Sequence, residues 1–221
     1  MFGNKRLTLF CGHYGSGKTN IAVNTAVSLK EKHDNVALAD LDIVNPYFRT
    51  KDSSELLKEK GIRLICSTYA NSNVDIPALP QDMYAVTDDK SLKCVLDIGG
   101  DDRGALVLGR ISSKILEEND YEMLMVINSF RPLTRDTAST MEVLSEIETA
   151  AKIKFTGLVN NSNLGEETTE DDVISSMFYA EEISKATGLP IVATTVKEEL
   201  FDKLNGKIPN LFPMKLQDKI L

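Results

Sequence analysis

Eight consecutive residues, Gly12-His13-Tyr14-Gly15-Ser16-Gly17-Lys18-Thr19, have the types and spacing of a phosphate cradle. They fit G-x-x-x-x-G-K-[ST]. Glycines let a backbone approach a phosphate closely, because no Cβ intervenes and positive φ is permitted. Successive N–H groups and a following helix N-terminus then point at the anion. Lys18 supplies a point charge for the outer phosphates, and the Thr19 hydroxyl is placed for Mg²⁺. Asn20, next in line, is counted with the nucleotide-contacting residues.

Two further stretches carry carboxylates that could serve such a site. Asp40-Leu41-Asp42 ends one apolar run, and Asp97-Ile98-Gly99-Gly100 ends another. A carboxylate there can hold Mg²⁺, directly or through water, or orient an attacking water. Gly100 N–H is placed to sense a terminal phosphate, as in loops that order on nucleotide and relax on hydrolysis. Asn160 and Asn161 end a third run, where an asparagine amide can read a base edge. A guanine site would be expected to read N-K-x-D; the acidic residue is missing, so adenine is favoured.

These groups need elements to position them. Leu7–Cys11 is a short apolar run, which reads as a buried strand. Ile21, Ala22, Thr25, Ala26 and Leu29 then recur at helical spacing. Further strands are predicted at 35–41, 62–66, 93–97, 121–128, 154–159 and 189–193. Helices are predicted over 54–60, 105–118, 134–151 (with apolar Ala138, Met141, Leu144 and Ile147 on one face) and 170–187, and a shorter one at 78–85. Alternation of this kind implies an α/β fold, a three-layer α/β/α P-loop NTPase domain with a mostly parallel sheet, over residues 1–221. Ligands of such sheets lie at the carboxyl ends of the strands. That would bring Asp40, Asp42 and Asp97 beside Lys18. Tyr47 and Phe48 either pack as core or face a partner. The stretch 67–91, rich in Pro, Asn and Asp, reads as a long functional connection.

With 42% hydrophobic residues in 221, the chain can bury a substantial core. A net charge of −8 argues against coating nucleic acid. Cys11, Cys66 and Cys94 form no C-x-x-C pair, so buried structural cysteines are expected and no iron–sulfur cluster within one chain. No apolar run has membrane-span length, and the N-terminus lacks a secretory pattern. A cytoplasmic protein is expected.

On the P-loop, Asp40-Leu41-Asp42, Asp97-Ile98-Gly99-Gly100 and the strand-end asparagine, the chain resembles the MinD/ParA and CobQ/CobB group of P-loop ATPases, in the SIMIBI class. Asp40-Leu41-Asp42-Ile43-Val44-Asn45-Pro46-Tyr47-Phe48-Arg49 resembles a nucleotide-binding branch of that group. The resemblance implies ATP binding, Mg²⁺ dependence and nucleotide-driven dimerisation, with Asp42 near the attacking water and Asp97 in a second switch. The group's loop has a second lysine where this chain has His13. Histidine is shorter and mostly neutral near pH 7, so Arg49 and Arg103 are candidate substitutes. Three functions follow: an ATPase switch with a homodimer or protein partner, an ATP-dependent small-molecule ligase or kinase, or a nucleotide-holding scaffold. Lys18, Asp42 and Asp97 are the catalytic candidates, and Thr19, Asp40, Asp42 and Asp97 the metal candidates.

Overall fold

Apolar strands buried on both faces call for a parallel sheet between helices, and that is the arrangement in the computed structural model, which describes residues 2–42, 54–66, 81–100 and 102–216, without the side chains of 81, 82, 102 and 103. The order is β1 (Leu7–Cys11), α1 (Lys18–Lys30), β2 (Val36–Leu41), α2 (Ser54–Glu59), β3 (Arg63–Cys66), α3 (Gln81–Asp88) and β4 (Lys93–Ile98). There follow α4 (Asp102–Gly109), α5 (Ser112–Glu118), β5 (Tyr121–Ile127), α6 (Thr137–Ala151), β6 (Gly157–Asn160), α7 (Glu170–Thr187), β7 (Ile191–Lys197), α8 (Glu198–Leu204) and β8 (Leu211–Met214). The eight strands lie in the order β3-β2-β4-β1-β5-β6-β7-β8. Every pairing is parallel.

Side chains alternate across the sheet and build a core on each face. Leu7, Leu9 and Cys11 of β1 pack with residues of α3 to α7. Phe10 points the other way, to Ile21, Ala22 and Ala26 of α1 and Leu57 of α2. The chain leaves β1 in one direction toward β2 and later crosses β1 in the other, from β4 to β5. The strand order therefore reverses beside β1, where an open α/β sheet leaves a crevice at the strand carboxyl ends.

Several expectations shift. The helix predicted over 105–118 is two helices. Gly109 packs so closely on α6 that an added Cβ would sit 2.7 Å from Ala150 O, and the chain turns there, with Ser112 Oγ donating to Gly109 O at 3.0 Å. Residues 134–151 do not form one helix either. Pro132–Thr134 is a 3₁₀ turn, and Asp136 caps α6 by accepting from Ser139 N. That start turns Thr140, Val143, Leu144, Ile147 and Ala151 inward and leaves Ala138 and Met141 exposed. The tail forms α8 and β8, and Pro213 is accommodated because β8 is an edge strand. Cys11 and Cys94 are buried as expected, but Cys66, at the end of β3, is exposed. Tyr47, Phe48, Arg49, the Arg103 side chain and the 67–80 part of the long connection lie outside the described residues.

Candidate functional site

The loop from Gly12 to Gly17 leaves β1 and feeds directly into α1. Gly17 occupies the N-cap position at φ 92°, a left-handed conformation that favours glycine. No side chain caps α1, and its first turn has no acidic residue. Other helices show what a closed N-terminus looks like. In α7, Thr169 and Asp172 form a full capping box, and in α6 Asp136 accepts from Ser139 N. The α1 N-terminus thus keeps N–H groups and a positive dipole end for an outside anion.

Lys18 and Thr19 are both buried at this end. Lys18 Nζ folds back to donate to His13 O at 3.1 Å, arching over the loop. Thr19 Oγ1 donates to Asp97 Oδ2 at 2.6 Å, tying α1 to the end of β4. Ser16 Oγ is buried without a hydrogen-bond partner among the described residues. His13 is partly exposed, with Nδ1 3.1 Å from Tyr14 O; Tyr14 projects outward and is 59% exposed. Asn20, in the first turn of α1, accepts through its backbone O from Asn24 Nδ2 at 2.8 Å.

Asp40, Asp42 and Asp97 come together at the carboxyl ends of β2 and β4. Asp40 and Asp97 are register neighbours on β2 and β4, and both are buried. Asp40 Oδ1 accepts from Asp42 N at 2.9 Å, which fixes the turn where β2 ends. Asp42 lies against Gly99, where a Cβ would meet its Oδ1 at 3.3 Å. Gly100 lies against the phosphate loop, where a Cβ would stand 2.5 Å from Tyr14 N and 2.6 Å from Gly12 O, so only glycine permits this approach. The stretch that ends β4 therefore abuts the loop, and the stretch that ends β2 abuts the β4 stretch in turn.

The donor set fits Mg²⁺. Among the described residues no three His, Cys, Asp or Glu side chains gather to hold a metal alone. Mg²⁺ does not need such a cage, since it binds through one or two carboxylates, a hydroxyl, phosphates and water. Thr19 and Asp97, with Asp40 alongside, offer that combination.

The asparagines correct the sequence reading. Asn160 does not present a base-reading amide: it is fully buried, its Nδ2 donates to Ser176 Oγ at 2.9 Å, and its Oδ1 accepts from Ser162 Oγ at 2.8 Å. Asn161 points the opposite way. Its Nδ2 donates to Ser16 O at 2.5 Å, and its Oδ1 accepts from Thr195 Oγ1 and from Asn163 Nδ2. Asn161 therefore braces the phosphate loop from β6. Beside it is a small pocket lined by Asn163, Gly165, Thr168, Val196, Lys197 and Met214, among others, with no carboxylate among the described residues that line it.

Two contacts escaped the sequence reading altogether. One is the Asn161 brace. The other is Arg131, in the loop after β5, whose Nε donates to Gly15 O at 2.8 Å. Neither has a local signature, because each pairs residues more than a hundred positions apart. Burial pushes up the pKa of Cys11, next to the loop, against the opposing pull of Lys18, so its thiol stays protonated and unreactive.

No known family pattern matches the chain, and no curated protein does. Solved structures do match. FtsY of Thermotoga maritima superposes with a TM-score of 0.57 at 19% identity, over 87% of this chain and 62% of that one. Chloroplast FtsY from Physcomitrella patens gives 0.59 at 16%, over 85% and 57%. The signal recognition particle receptor FtsY from Elizabethkingia anophelis, in complex with GDP, gives 0.52 at 17%, over 86% and 57%. The chain thus spans about 60% of the length of these structures. At such identities the likeness is one of fold, an α/β P-loop NTPase domain.

Proposed function

We propose that this chain is a Mg²⁺-dependent ATP-binding protein and slow ATPase of the MinD/ParA and CobQ/CobB kind, one nucleotide-binding domain over residues 1–221. It acts as a switch through a nucleotide-dependent homodimer or a protein partner, in the cytoplasm. The observation that carries the reading is the α1 N-terminus, open to an anion, with Lys18 arched over it and Thr19 held on Asp97. Lys18 would swing from His13 O to the outer phosphates. Thr19 and Asp97 would hold Mg²⁺, which supplies charge neutralisation between phosphate oxygens. Asp42, partly exposed beside Gly99, would orient water at the terminal phosphate.

Adenine rather than guanine rests on the sequence, which lacks the acidic residue of an N-K-x-D guanine site after Asn160 and Asn161. GDP in one FtsY structure makes GTP the necessary control. A partner is supported by exposed apolar side chains around the loop: Tyr14, Phe130 and Leu133, the last 51% exposed.

Size exclusion with light scattering, in Mg²⁺ with ADP or with non-hydrolysable ATP and GTP analogues, tests this. A dimer seen with the ATP analogue alone, and lost in Lys18→Ala, is expected. An unchanged monomer that binds neither triphosphate overturns the reading. A dimer indifferent to nucleotide removes the switch.

A further inference from the structure

We infer that Arg131 is a phosphate-binding cation, held in readiness at the tip of the loop and contacting the outermost phosphate of a bound nucleoside triphosphate. This rests on the nucleotide reading above and adds a residue to it. Arg131 comes from the turn after β5, not from the phosphate loop or from either switch stretch.

The first support is position. Arg131 Nε donates to Gly15 O at 2.8 Å, and the side chain lies flat on Gly15, where a Cβ would come within 3.4 Å of Nε and 3.6 Å of Cζ. Gly15 belongs to the tip of the loop, away from the α1 N-terminus that would take the inner phosphates. Gly100 packs on the same tip, at Tyr14 and His13. The Arg131 guanidinium and the second switch therefore flank the place where a third phosphate would extend.

The second is that the guanidinium has capacity to spare. Among the described residues it has the Gly15 carbonyl as its one side-chain hydrogen-bond partner and no carboxylate within ion-pair distance. Nε is engaged while the terminal nitrogens keep donors in a planar fork that suits phosphate oxygens.

The third is rigidity. An exposed arginine on a loose loop would lose much entropy on binding. Here Arg131 N donates to Asn128 O at 3.1 Å, Thr134 N to Arg131 O at 3.0 Å, and Thr134 Oγ1 to Asn128 O at 2.9 Å. Phe130 N donates to Asn128 Oδ1 at 3.0 Å, and Ser129 N to Ser162 Oγ at 3.0 Å. Tyr179 Oη from α7 donates to Thr134 O. The turn is fixed on three sides, and Arg131 is presented from a built scaffold.

The test is titration calorimetry of Mg·ADP and a non-hydrolysable Mg·ATP analogue into wild type, Arg131→Gln, Arg131→Lys and Lys18→Ala. Loss of a charge-assisted contact predicts a roughly ten- to hundredfold weaker Kd for the triphosphate analogue in Arg131→Gln. The ADP Kd should move less than about twofold, with melting temperature held, and Arg131→Lys should recover part of the loss. Equal losses for both nucleotides would make Arg131 a mere brace of the loop and overturn the inference, as would no loss. If wild type binds neither nucleotide, the inference falls together with the nucleotide reading. If Lys18→Ala abolishes binding while Arg131→Gln matches wild type, the nucleotide reading stands and the role of Arg131 falls alone.

Discussion

Two arginines sit at opposite ends of the sheet and are used in opposite ways. Arg6 precedes β1 at the amino ends of the strands, where it is buried. Its Nε and Nη2 donate to the Glu118 carboxylate, and Nη1 reaches the carbonyls of Val86, Asp89 and Leu92. One side chain thus joins β1 to the ends of α3 and α5 and to the approach to β4. Arg131, at the carboxyl ends, is exposed and spends one N–H on one carbonyl. A guanidinium whose donors are saturated by the fold is committed to stability. One that is positioned but unsaturated is left for a ligand. The same chemical group is a rivet at one end and a receptor at the other, and the difference lies in how many donors the protein itself fills.

The largest effect expected is on the rivet. Arg6→Met should lower unfolding free energy by about 3 kcal/mol, because it leaves a mostly buried carboxylate with Lys90 alone and takes a donor from the carbonyls of Val86, Asp89 and Leu92. Denaturant unfolding measures this, and nucleotide Kd should stay within about twofold of wild type. By contrast Arg131→Gln should shift stability by less than about 0.5 kcal/mol. Weakened nucleotide binding in a folded Arg6→Met protein would break the comparison.

Asn161 lies between these extremes, since it is buried like Arg6 but acts on the site. Asn161→Ala should cost about 2 kcal/mol, since Thr195, Asn163 and the Ser16 carbonyl all lose a partner. It should also weaken ADP and triphosphate alike, because the brace holds the loop in both states. A loss confined to the triphosphate would assign Asn161 the role proposed for Arg131. Calorimetry beside denaturant unfolding separates the two.

The contrast also explains what was legible in the sequence. The cradle from Gly12 to Thr19 could be read because its chemistry is contiguous: strand, loop and helix follow within one local segment. Asp40 and Asp97 could be read because each ends an apolar strand, and parallel strands must end together. Arg131 and Asn161 could not be read as parts of the loop, since strand order beside β1 decides which loops reach Gly15 and Ser16. Asn160 and Asn161 look alike as a pair. Alternation along β6 sends one amide to Ser176 in α7 and the other to the phosphate loop, and only the packing says which. The break at Gly109 has the same origin, for it is a close approach to α6 that no propensity encodes.

The smallest expected effect is a matter of pH, and it probes the rivet without removing it. The hydrogen bond from Arg6 holds the Glu118 carboxyl below its ordinary pKa, outweighing the opposing effect of burial. A carboxylate with a depressed folded-state pKa takes up a proton more readily when the chain is unfolded. Its contribution is therefore complete above the ordinary glutamate range and is lost as pH falls through the lower folded-state value. Stability should be level from neutral pH down to about pH 5 and decline below that, as far as this pair is concerned. In Glu118→Gln the acid limb should be shallower while the neutral-pH stability is lower. Arg6→Met should flatten the same limb, because without the guanidinium the carboxyl loses the main cause of its shift. Arg131→Gln should leave the limb unchanged, since no carboxylate among the described residues depends on that side chain. An acid limb that flattened in Arg131→Gln, as it should in Arg6→Met, would mean that Arg131 is paired with a carboxylate within the fold after all, and the two arginines would then differ in degree only.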